Sequence, residues 1–400
     1  MKKIISLIIV LLLILLLIPA CSKESKEDEL LACLSIITDD DSFDLEIARA
    51  FKDTLTPLGY QTQIVFCDNN FETQRIQIEN FIENHADLIT VHCVGNGSIY
   101  EDLFKKAKES GSLVITMANE TLINVDVQST KYSFFKGLAK SEIVKRFLDE
   151  QYPDAAPKSV DMLVLENLTK DGLIKTCAGI RIIGEKYLRY FDYGALDYIR
   201  NRSAQTVYYL DEKGAEVQVN EPTGGLILDN DGYAQLNPFY DDRINLVLAT
   251  NKNIQTVLDG QKAIDSYIVT PNGPNIKIVA SFSGDAAVGA NQRLMYYYAN
   301  GYLENDIKKI AVFGSDDTET NRNLLLKSAK DESMYRGFVG YRSVYWEIST
   351  MLEMALDDNE DNILELDVVI GKLNKAKDSV VLEYKNYDII NDYEIFANWE

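Results

Sequence analysis

The sequence predicts an α/β protein built from two doubly wound parallel-sheet lobes. Short apolar runs alternate with longer amphipathic stretches, which is typical of β-strands and helices around a parallel sheet. Two successive series of this kind occur, with apolar runs at residues 31–37, 63–67, 88–94 and 113–117, and then at 162–165, 246–250, 276–281 and 310–314. A domain usually takes about 100 to 200 residues, so the chain is long enough for two.

The gaps between the apolar runs carry helical patterns. In the first gap Ile47, Phe51 and Leu55 recur at helical spacing and Gly59 supplies a stop signal. A side chain that can cap a helix, Ser98, opens the third gap. The predicted helices cover residues 42–58, 71–84, 98–111, 134–148, 253–267 and 286–300.

The alternation is interrupted in the second half and ends before the C-terminus. Residues 208–210 and 216–219 flank a turn sequence like the arms of a β-hairpin, and residues 229–232 give a second turn signal. We therefore expect an insertion near 205–244. A short apolar segment at 366–370 is followed by polar chain, which we interpret as a C-terminal extension over 366–400.

The N-terminus has the pattern of a signal peptide. Two lysines precede an apolar run at 4–18, which is shorter than the roughly 20 residues of a membrane-spanning helix. Ala20-Cys21 and the residues before them resemble the lipobox of bacterial lipoproteins. This resemblance implies a signal peptide at 1–20, lipidation of Cys21, and a flexible tether at 21–30. The alternative is an uncleaved anchor helix, which also places the body outside the cytoplasm.

Charge and cysteine spacing limit the partners. The chain has 62 acidic and 40 basic residues and a formal net charge of -22, so a phosphate backbone would be repelled and no nucleic acid is expected. The remaining cysteines show no metal-ligand spacing, and we expect neither a metal nor a cofactor. The sequence leaves open whether Cys67 and Cys93 form a disulfide.

Polar residues follow the predicted strands. In parallel sheets ligands bind beyond the carboxyl ends of the strands, where an aromatic ring beside amides and carboxylates suits a neutral polyhydroxy ligand. The alternative is a purely structural role, in which these residues only cap helices. The candidate ligand-binding residues of this kind are Asp41, Phe43, Asn96, Asn119, Asn167, Asn251, Ser283, Asp285 and Asp316.

Enzyme motifs are not found in the sequence. Its two histidines, His85 and His92, do not stand beside an evident nucleophile, and no GxSxG, HExxH or P-loop sequence occurs. We therefore expect a binding protein rather than an enzyme, with no catalytic residues.

Several segments resemble the periplasmic sugar-binding proteins of the ribose and galactose type. They are residues 74–82, 86–91 and 111–115 in the first half, and 281–290 with 311–316 in the second. The resemblance implies the type 1 periplasmic-binding-protein fold, in which three crossings join two lobes and the ligand lies in the cleft between them. It places the N-terminal lobe at 31–132 plus 337–365 and the C-terminal lobe at 133–336.

The resemblance also implies roles for individual residues. Phe43 would stack on the ligand, Asp316 with Ser283 or Asp285 would hydrogen-bond it, and Arg336 stands where the family has a crossing glutamine. Three positions depart from the family, which has an acid at Gly95, an Asp-Arg pair at Ala118-Asn119, and an arginine at Thr176. We therefore expect an altered ligand.

The sequence thus predicts a lipid-anchored, monomeric receptor that delivers a sugar or similar small polar ligand to an ABC transporter permease. One alternative is a nucleoside-binding lipoprotein. A second is a sensor that presents ligand occupancy to a membrane kinase or chemoreceptor. An extracytoplasmic enzyme is the least favoured.

Overall fold

The computed structural model describes residues 30–95, 97–118, 122–130, 133–165, 167–168, 174–176, 182–188, 206–220, 226–249, 254–303, 306–356, 363–366, 368–374, 376–377 and 379–385. The predicted signal peptide, Cys21 and most of the tether lie outside these residues. Three candidate ligand-binding residues also lie outside them: Asn96, Asn119 and Asn251.

The described chain contains strands and helices in the alternation that the sequence predicts. The strands are β1 (Leu31–Ile36), β2 (Gln61–Phe66), β3 (Leu88–His92), β4 (Leu113–Ala118), β5 (Val127–Thr130), β6 (Val160–Leu165), β7 (Asn167–Leu168), β8 (Ile174–Thr176), β9 (Tyr208–Leu210), β10 (Glu216–Gln218), β11 (Ile244–Leu248), β12 (Ile278–Ser281), β13 (Ala311–Ser315), β14 (Tyr335–Tyr341), β15 (Ile363–Glu365), β16 (Val368–Asn374) and β17 (Ser379–Lys385). The α-helices are α1 (Ser42–Leu55), α2 (Phe71–Glu83), α3 (Glu101–Glu109), α4 (Ser133–Gln151), α5 (Val257–Ile268), α6 (Gly284–Ala299), α7 (Glu319–Ser328) and α8 (Val344–Leu356).

The first lobe is a six-stranded parallel sheet in the order β2-β1-β3-β4-β5-β15. Successive side chains of a strand point to opposite faces, so neighbouring residues of β1 enter different cores. Leu34 packs with α1 and α8 on one face, whereas Cys33 packs with α2 and α3 on the other. Both faces are covered, which is why these strands read as nearly continuous apolar runs.

The second lobe is a seven-stranded sheet in the order β11-β6-β12-β13-β14-β16-β17. The pairs from β11 to β14 are parallel, and β16 and β17 add an antiparallel hairpin at one edge. Helix α4 covers one face, while α5, α6 and α7 cover the other.

Two glycines allow α5 and α6 to pack closely. A Cβ atom on Gly260 would come within 2.0 Å of the Ala286 carbonyl oxygen, and one on Gly289 would come within 1.9 Å of the Val257 carbonyl oxygen. Each helix therefore needs glycine where it touches the backbone of the other. This contact fixes the N-terminus of α6, which carries Ser283 and Asp285.

The chain passes between the sheets three times, after β5, after β14 and after β15, as the resemblance implies. The structure differs from the expected domain boundaries at two places. The second crossing comes after Tyr341 rather than at Gly337, because β14 continues its parallel pairing with β13 as far as Val339. Residues 368–374 and 379–385 are strands of the second sheet rather than part of a separate extension. The edge strand β17 is half polar, so it does not read as a buried run.

The expected insertion carries its own small core. Strands β9 and β10 form an antiparallel hairpin, which confirms the predicted turn between them. Gly232 donates a backbone hydrogen bond to Asp229 across the second predicted turn. Beneath these turns a separate apolar cluster contains Tyr187, Val207, Val219 and Ala234.

Two further expectations concern a disulfide between cysteines and the apolar character of the helices. Cys67 and Cys93 are buried and form no disulfide with each other. Burial raises the pKa of the Cys67 thiol. None of the helices in the described part of the chain combines the length and apolar character needed to cross a membrane.

Candidate functional site

The two lobes touch where α1 and α6 begin. The Ser42 backbone N–H and hydroxyl donate to the two carboxylate oxygens of Asp285, at 3.0 and 2.7 Å. Ser42 follows the carboxyl end of β1 and Asp285 follows that of β12, so this contact brings together the strand ends where parallel sheets bind ligands. The predicted cleft therefore lies at this junction.

Asp41 is the N-cap of α1 and faces other carboxylates. Its Oδ1 accepts a hydrogen bond from the Phe43 N–H at 2.8 Å. Burial raises the pKa of Asp41 to about 7, and the charges of Asp44, Asp316 and Asp285 contribute to this increase. Asp316 and Asp285 belong to the other lobe, so the charge of Asp41 interacts with carboxylates of both lobes.

Asp316 is held by a lysine from α4. The Lys136 ammonium lies 2.9 Å from Oδ1 of Asp316 and 5.3 Å from the centroid of the Tyr341 ring. The Asp316 backbone N–H donates to the Val339 carbonyl, which ties the end of β13 to β14. The pair is mostly buried, since the lysine and aspartate side chains are 11% and 18% exposed. One carboxylate oxygen of Asp316 thus has a fixed partner.

A second lysine of α4 hydrogen-bonds to the carboxyl ends of β12 and β13. Lys140 lies one helical turn after Lys136 and is fully buried, and its ammonium donates to the Ser281 carbonyl and to Oγ of Ser315, the latter at 2.9 Å. Burial lowers the pKa of Lys140 well below its usual value. Lys140 therefore cross-links the carboxyl ends of β12 and β13, which precede Asp285 and Asp316.

The first lobe contributes an aromatic and imidazole wall. Nδ1 of His92 lies 2.9 Å from Oδ1 of Asp44, whose other oxygen accepts the Thr38 N–H at 3.0 Å. The Phe43 ring is half-buried at the edge of the first core and makes an edge contact with His92, at 6.3 Å between centroids. Phe43 thus lies at the cleft wall, and its stacking on a ligand stays a prediction.

Two predicted site residues have structural hydrogen bonds instead of a place open to the cleft. Ser283 is buried and caps α6, and its hydroxyl accepts the Ala286 N–H and donates to the Gln255 carbonyl. Arg336 lies at the amino end of β14, opposite to the end near the cleft, where its guanidinium donates to backbone carbonyls that include that of Ile307. Burial lowers the pKa of Arg336. The second crossing follows Tyr341, so Arg336 does not lie at a crossing between the lobes.

The structure therefore brings Asp41, Phe43, Asp285 and Asp316 together. Asn167 lies in β7, which pairs with β8. The structure describes its backbone but not its side chain. Sequence reasoning missed the groups that hold these residues: Ser42, Asp44, His92, Lys136 and Lys140. A signal for the lysines existed, because Lys136 and Lys140 are spaced by four in the predicted helix at 134–148 and so lie on one face of it.

The site offers hydrogen-bond acceptors and one aromatic ring rather than a metal cage. Within the described residues, no group of three or more His, Cys, Asp or Glu side chains is arranged to hold a metal ion. Carboxylate oxygens that retain free lone pairs accept hydrogen bonds from hydroxyl or ammonium groups. The arrangement can bind a small polar molecule from both lobes.

Neither family models nor curated protein sequences match the chain. Solved structures do match its fold. A galactofuranose-binding protein aligns with a TM-score of 0.56 and 14% identity, over 87% of this chain and 96% of that protein. A Mycobacterium smegmatis structure in complex with β-D-fucofuranose gives 0.58 and 14%, over 87% and 92%. A periplasmic solute-binding protein of an ABC transporter from Actinobacillus succinogenes 130z, with bound D-allose, gives 0.56 and 13%, over 87% and 99%.

These similarities define the class of fold. The chain has the type 1 periplasmic-binding-protein fold, which confirms the predicted fold class. The structures that it resembles include a galactofuranose-binding protein and periplasmic components of ABC transporters with bound L-arabinofuranose and D-allose.

Proposed function

We propose that this chain is a lipid-anchored extracytoplasmic solute-binding protein that captures a sugar or sugar-like ligand between its lobes and delivers it to an ABC transporter permease. The observation that supports this most is the junction at Ser42 and Asp285, where Asp41 and Asp316 come together from different lobes. Some of the similar solved structures hold furanose sugars, D-allose or myo-inositol.

A ligand bound between two lobes favours their closed arrangement only if it binds that arrangement more tightly. Contacts from Asp41 and Phe43 on one side and Asp316 on the other would supply this difference. A shift from 1:99 to 99:1 requires about 5.5 kcal/mol of differential binding. The permease would then recognise the closed form, with the chain acting as a monomer.

A thermal-shift screen of sugars, cyclitols, nucleosides and amino acids tests the proposed function. A ligand at 100 times its dissociation constant stabilises a protein by about 2.7 kcal/mol, so a true ligand should raise the melting temperature clearly. Asp316→Ala should weaken binding about tenfold or more, because it removes a charge-assisted hydrogen bond from the cleft. Isothermal titration calorimetry measures this loss.

The exposed Glu332 of the same lobe provides a control, since Glu332→Ala should bind as the wild type does. Unchanged affinity in Asp316→Ala would remove Asp316 from the site. A response to nucleosides alone would favour the nucleoside-binding alternative, and no response from any class would contradict the proposed function.

Membrane attachment has a separate test. Cys21→Ser removes the side chain at which the predicted lipid would be attached, and with it the lipobox, so the variant should give no acylated N-terminal peptide and should retain residues 1–20. Stable anchoring needs at least two acyl chains, which the lipidated cysteine would carry. Fractionation of cells that express each form, with mass spectrometry of the N-terminal peptide, measures the outcome. A wild-type N-terminal peptide that begins at Met1 and carries no lipid would favour the uncleaved anchor helix.

A further inference from the structure

The second crossing between the lobes is very short. Strand β14 ends at Tyr341 and α8 begins at Val344, so Arg342 and Ser343 alone connect them. The Ser343 carbonyl accepts the Glu347 N–H at 3.0 Å, as in the first turn of a helix. Hinges between domains are a few residues that absorb the change in backbone direction. At this crossing that change falls mainly on Arg342.

The Arg342 guanidinium lies over two aromatic rings that belong to different lobes. Its Cζ is 4.5 Å from the centroid of the Trp346 ring in α8 and 5.0 Å from that of the Tyr384 ring in β17. Both distances are within the range of about 6 Å over which a cation is attracted to a ring face. Helix α8 packs on the first sheet, whereas β17 is the edge strand of the second. We call Arg342, Trp346 and Tyr384 the arginine clasp.

Each ring of the arginine clasp is fixed to its own lobe. Trp346 is half-buried against the core of the first lobe, and the neighbouring Tyr345 donates its hydroxyl to Asp53 of α1 at 3.0 Å. Tyr384 lies opposite Val369 of β16, and β16 pairs with β14. A rotation of one lobe against the other therefore changes the separation of the two rings.

The third crossing lies beside the second and makes an apolar contact with both lobes. Val368 at the start of β16 pairs with Tyr341, the residue that precedes Arg342. Leu366, two residues before Val368, is half-buried and packs against the cores of the first and second lobes. A rotation about these adjacent crossings would keep Leu366 near its place while it moves Trp346 relative to Tyr384.

We infer that the arginine clasp is a conformational device that favours the arrangement in which the lobes touch, whether or not a ligand is bound. One guanidinium can lie over both rings only while they are close, so a rotation that separates the rings breaks at least one of the two contacts. The hydrogen bond between Tyr345 and Asp53 joins α8 to α1, whose first residue, Ser42, contacts Asp285 across the cleft. The clasp and the cleft contact therefore act on the same pair of helices.

This inference goes beyond the proposed function, because it concerns the lobes themselves rather than the ligand. It has a consequence for binding nonetheless. The apparent affinity of a ligand for one arrangement rises in proportion to the fraction of molecules that already adopt it. Arg342 would then raise affinity as a positioning residue, without touching the ligand.

Pulsed electron resonance between spin labels on the exposed residues Lys106 and Lys262, measured without ligand, tests the clasp. Arg342→Ala should raise the ratio of open to closed molecules about threefold or more, since one cation–π contact at an exposed site is worth a factor of about two to five. Tyr384→Leu removes only the ring of the second lobe and should shift the ratio about twofold or more in the same direction. Tyr384→Phe keeps the ring face and is the matched control, with the distances of the wild type.

A double variant distinguishes a shared contact from two separate effects. Arg342→Ala combined with Tyr384→Leu should shift the ratio no further than Arg342→Ala alone, because both changes remove the same contact. Shifts that multiply in the double variant would overturn the inference. It would also be overturned by unchanged distances in Arg342→Ala, or by a Tyr384→Phe variant that opens as much as Tyr384→Leu does. These outcomes involve no ligand, so a failed ligand screen would overturn the proposed function alone.

Discussion

Asp285→Ala is expected to shift the two lobes toward an open arrangement by about tenfold or more. In the structure both carboxylate oxygens of Asp285 accept hydrogen bonds from Ser42 of the other lobe. Removing the acceptor leaves two donors at the junction without it, which costs about 1 to 3 kcal/mol, and 1.4 kcal/mol is a factor of ten. Because the contact exists only when the lobes touch, the cost falls on the closed arrangement alone.

Spin labels on the exposed residues Lys106 and Lys262, one in each lobe, would report the change as a longer distance in pulsed electron resonance. Ser42→Ala removes only the hydroxyl and should give a smaller shift of the same sign. Glu332→Ala, which changes an exposed side chain, should leave the distances as they are. An unaltered distance distribution in Asp285→Ala would show that this contact does not hold the lobes together.

Asp41→Asn is expected to stabilise the protein at pH 8 and to flatten its dependence on pH. The pKa of Asp41 is raised to about 7 by burial and by Asp44, Asp316 and Asp285, while Lys136 and His92 pair with two of those neighbours. An acid with a raised pKa binds more protons in the folded state than in the unfolded state between about pH 4 and 7. Its contribution to stability is therefore present at low pH and is lost as the pH rises through 7.

Scanning calorimetry of both proteins between pH 5.5 and 8.5 measures this effect. The wild type should melt at a higher temperature as the pH falls, and Asp41→Asn should melt roughly 2 °C or more above it at pH 8. The difference should be smaller at pH 5.5, since it disappears fully only below about pH 4. Burial also raises the pKa of Glu46, and the whole chain is acidic, so both proteins share a general response. The difference between them isolates Asp41, and Asp40→Asn should not reproduce it. A lower melting temperature for Asp41→Asn at pH 8 would contradict the prediction.

The strands and helices of both lobes followed from the sequence where both faces of a strand are buried. Residues 31–37 and 310–314 illustrate this, since they match β1 and β13 to within a residue at each end. Strand β17 was missed because it pairs at an edge and carries charged residues such as Glu383, which interacts with Lys372 and Lys385. Its place in the second sheet depends on those tertiary contacts rather than on a local apolar pattern.

The site was predictable in position but not in its connections. The rule that ligands bind beyond the carboxyl ends of parallel strands selects Asp41, Asp285 and Asp316 from the sequence alone. It also selected Ser283, for which the alternative of helix capping describes the observed hydrogen bonds. Ser42 could not be predicted as the partner of Asp285, because 243 residues separate them along the chain and only the packing of the lobes brings them together.

The two lysines of α4 give the cleft a mechanical link to the first crossing. Helix α4 begins at Ser133, directly after the chain leaves the first sheet at Thr130. Lys136 and Lys140 then connect this helix to Asp316, Ser281 and Ser315. The helix that follows the first crossing is therefore bonded to the carboxyl ends of β12 and β13, so the crossing and the cleft acid Asp316 are joined through the same helix.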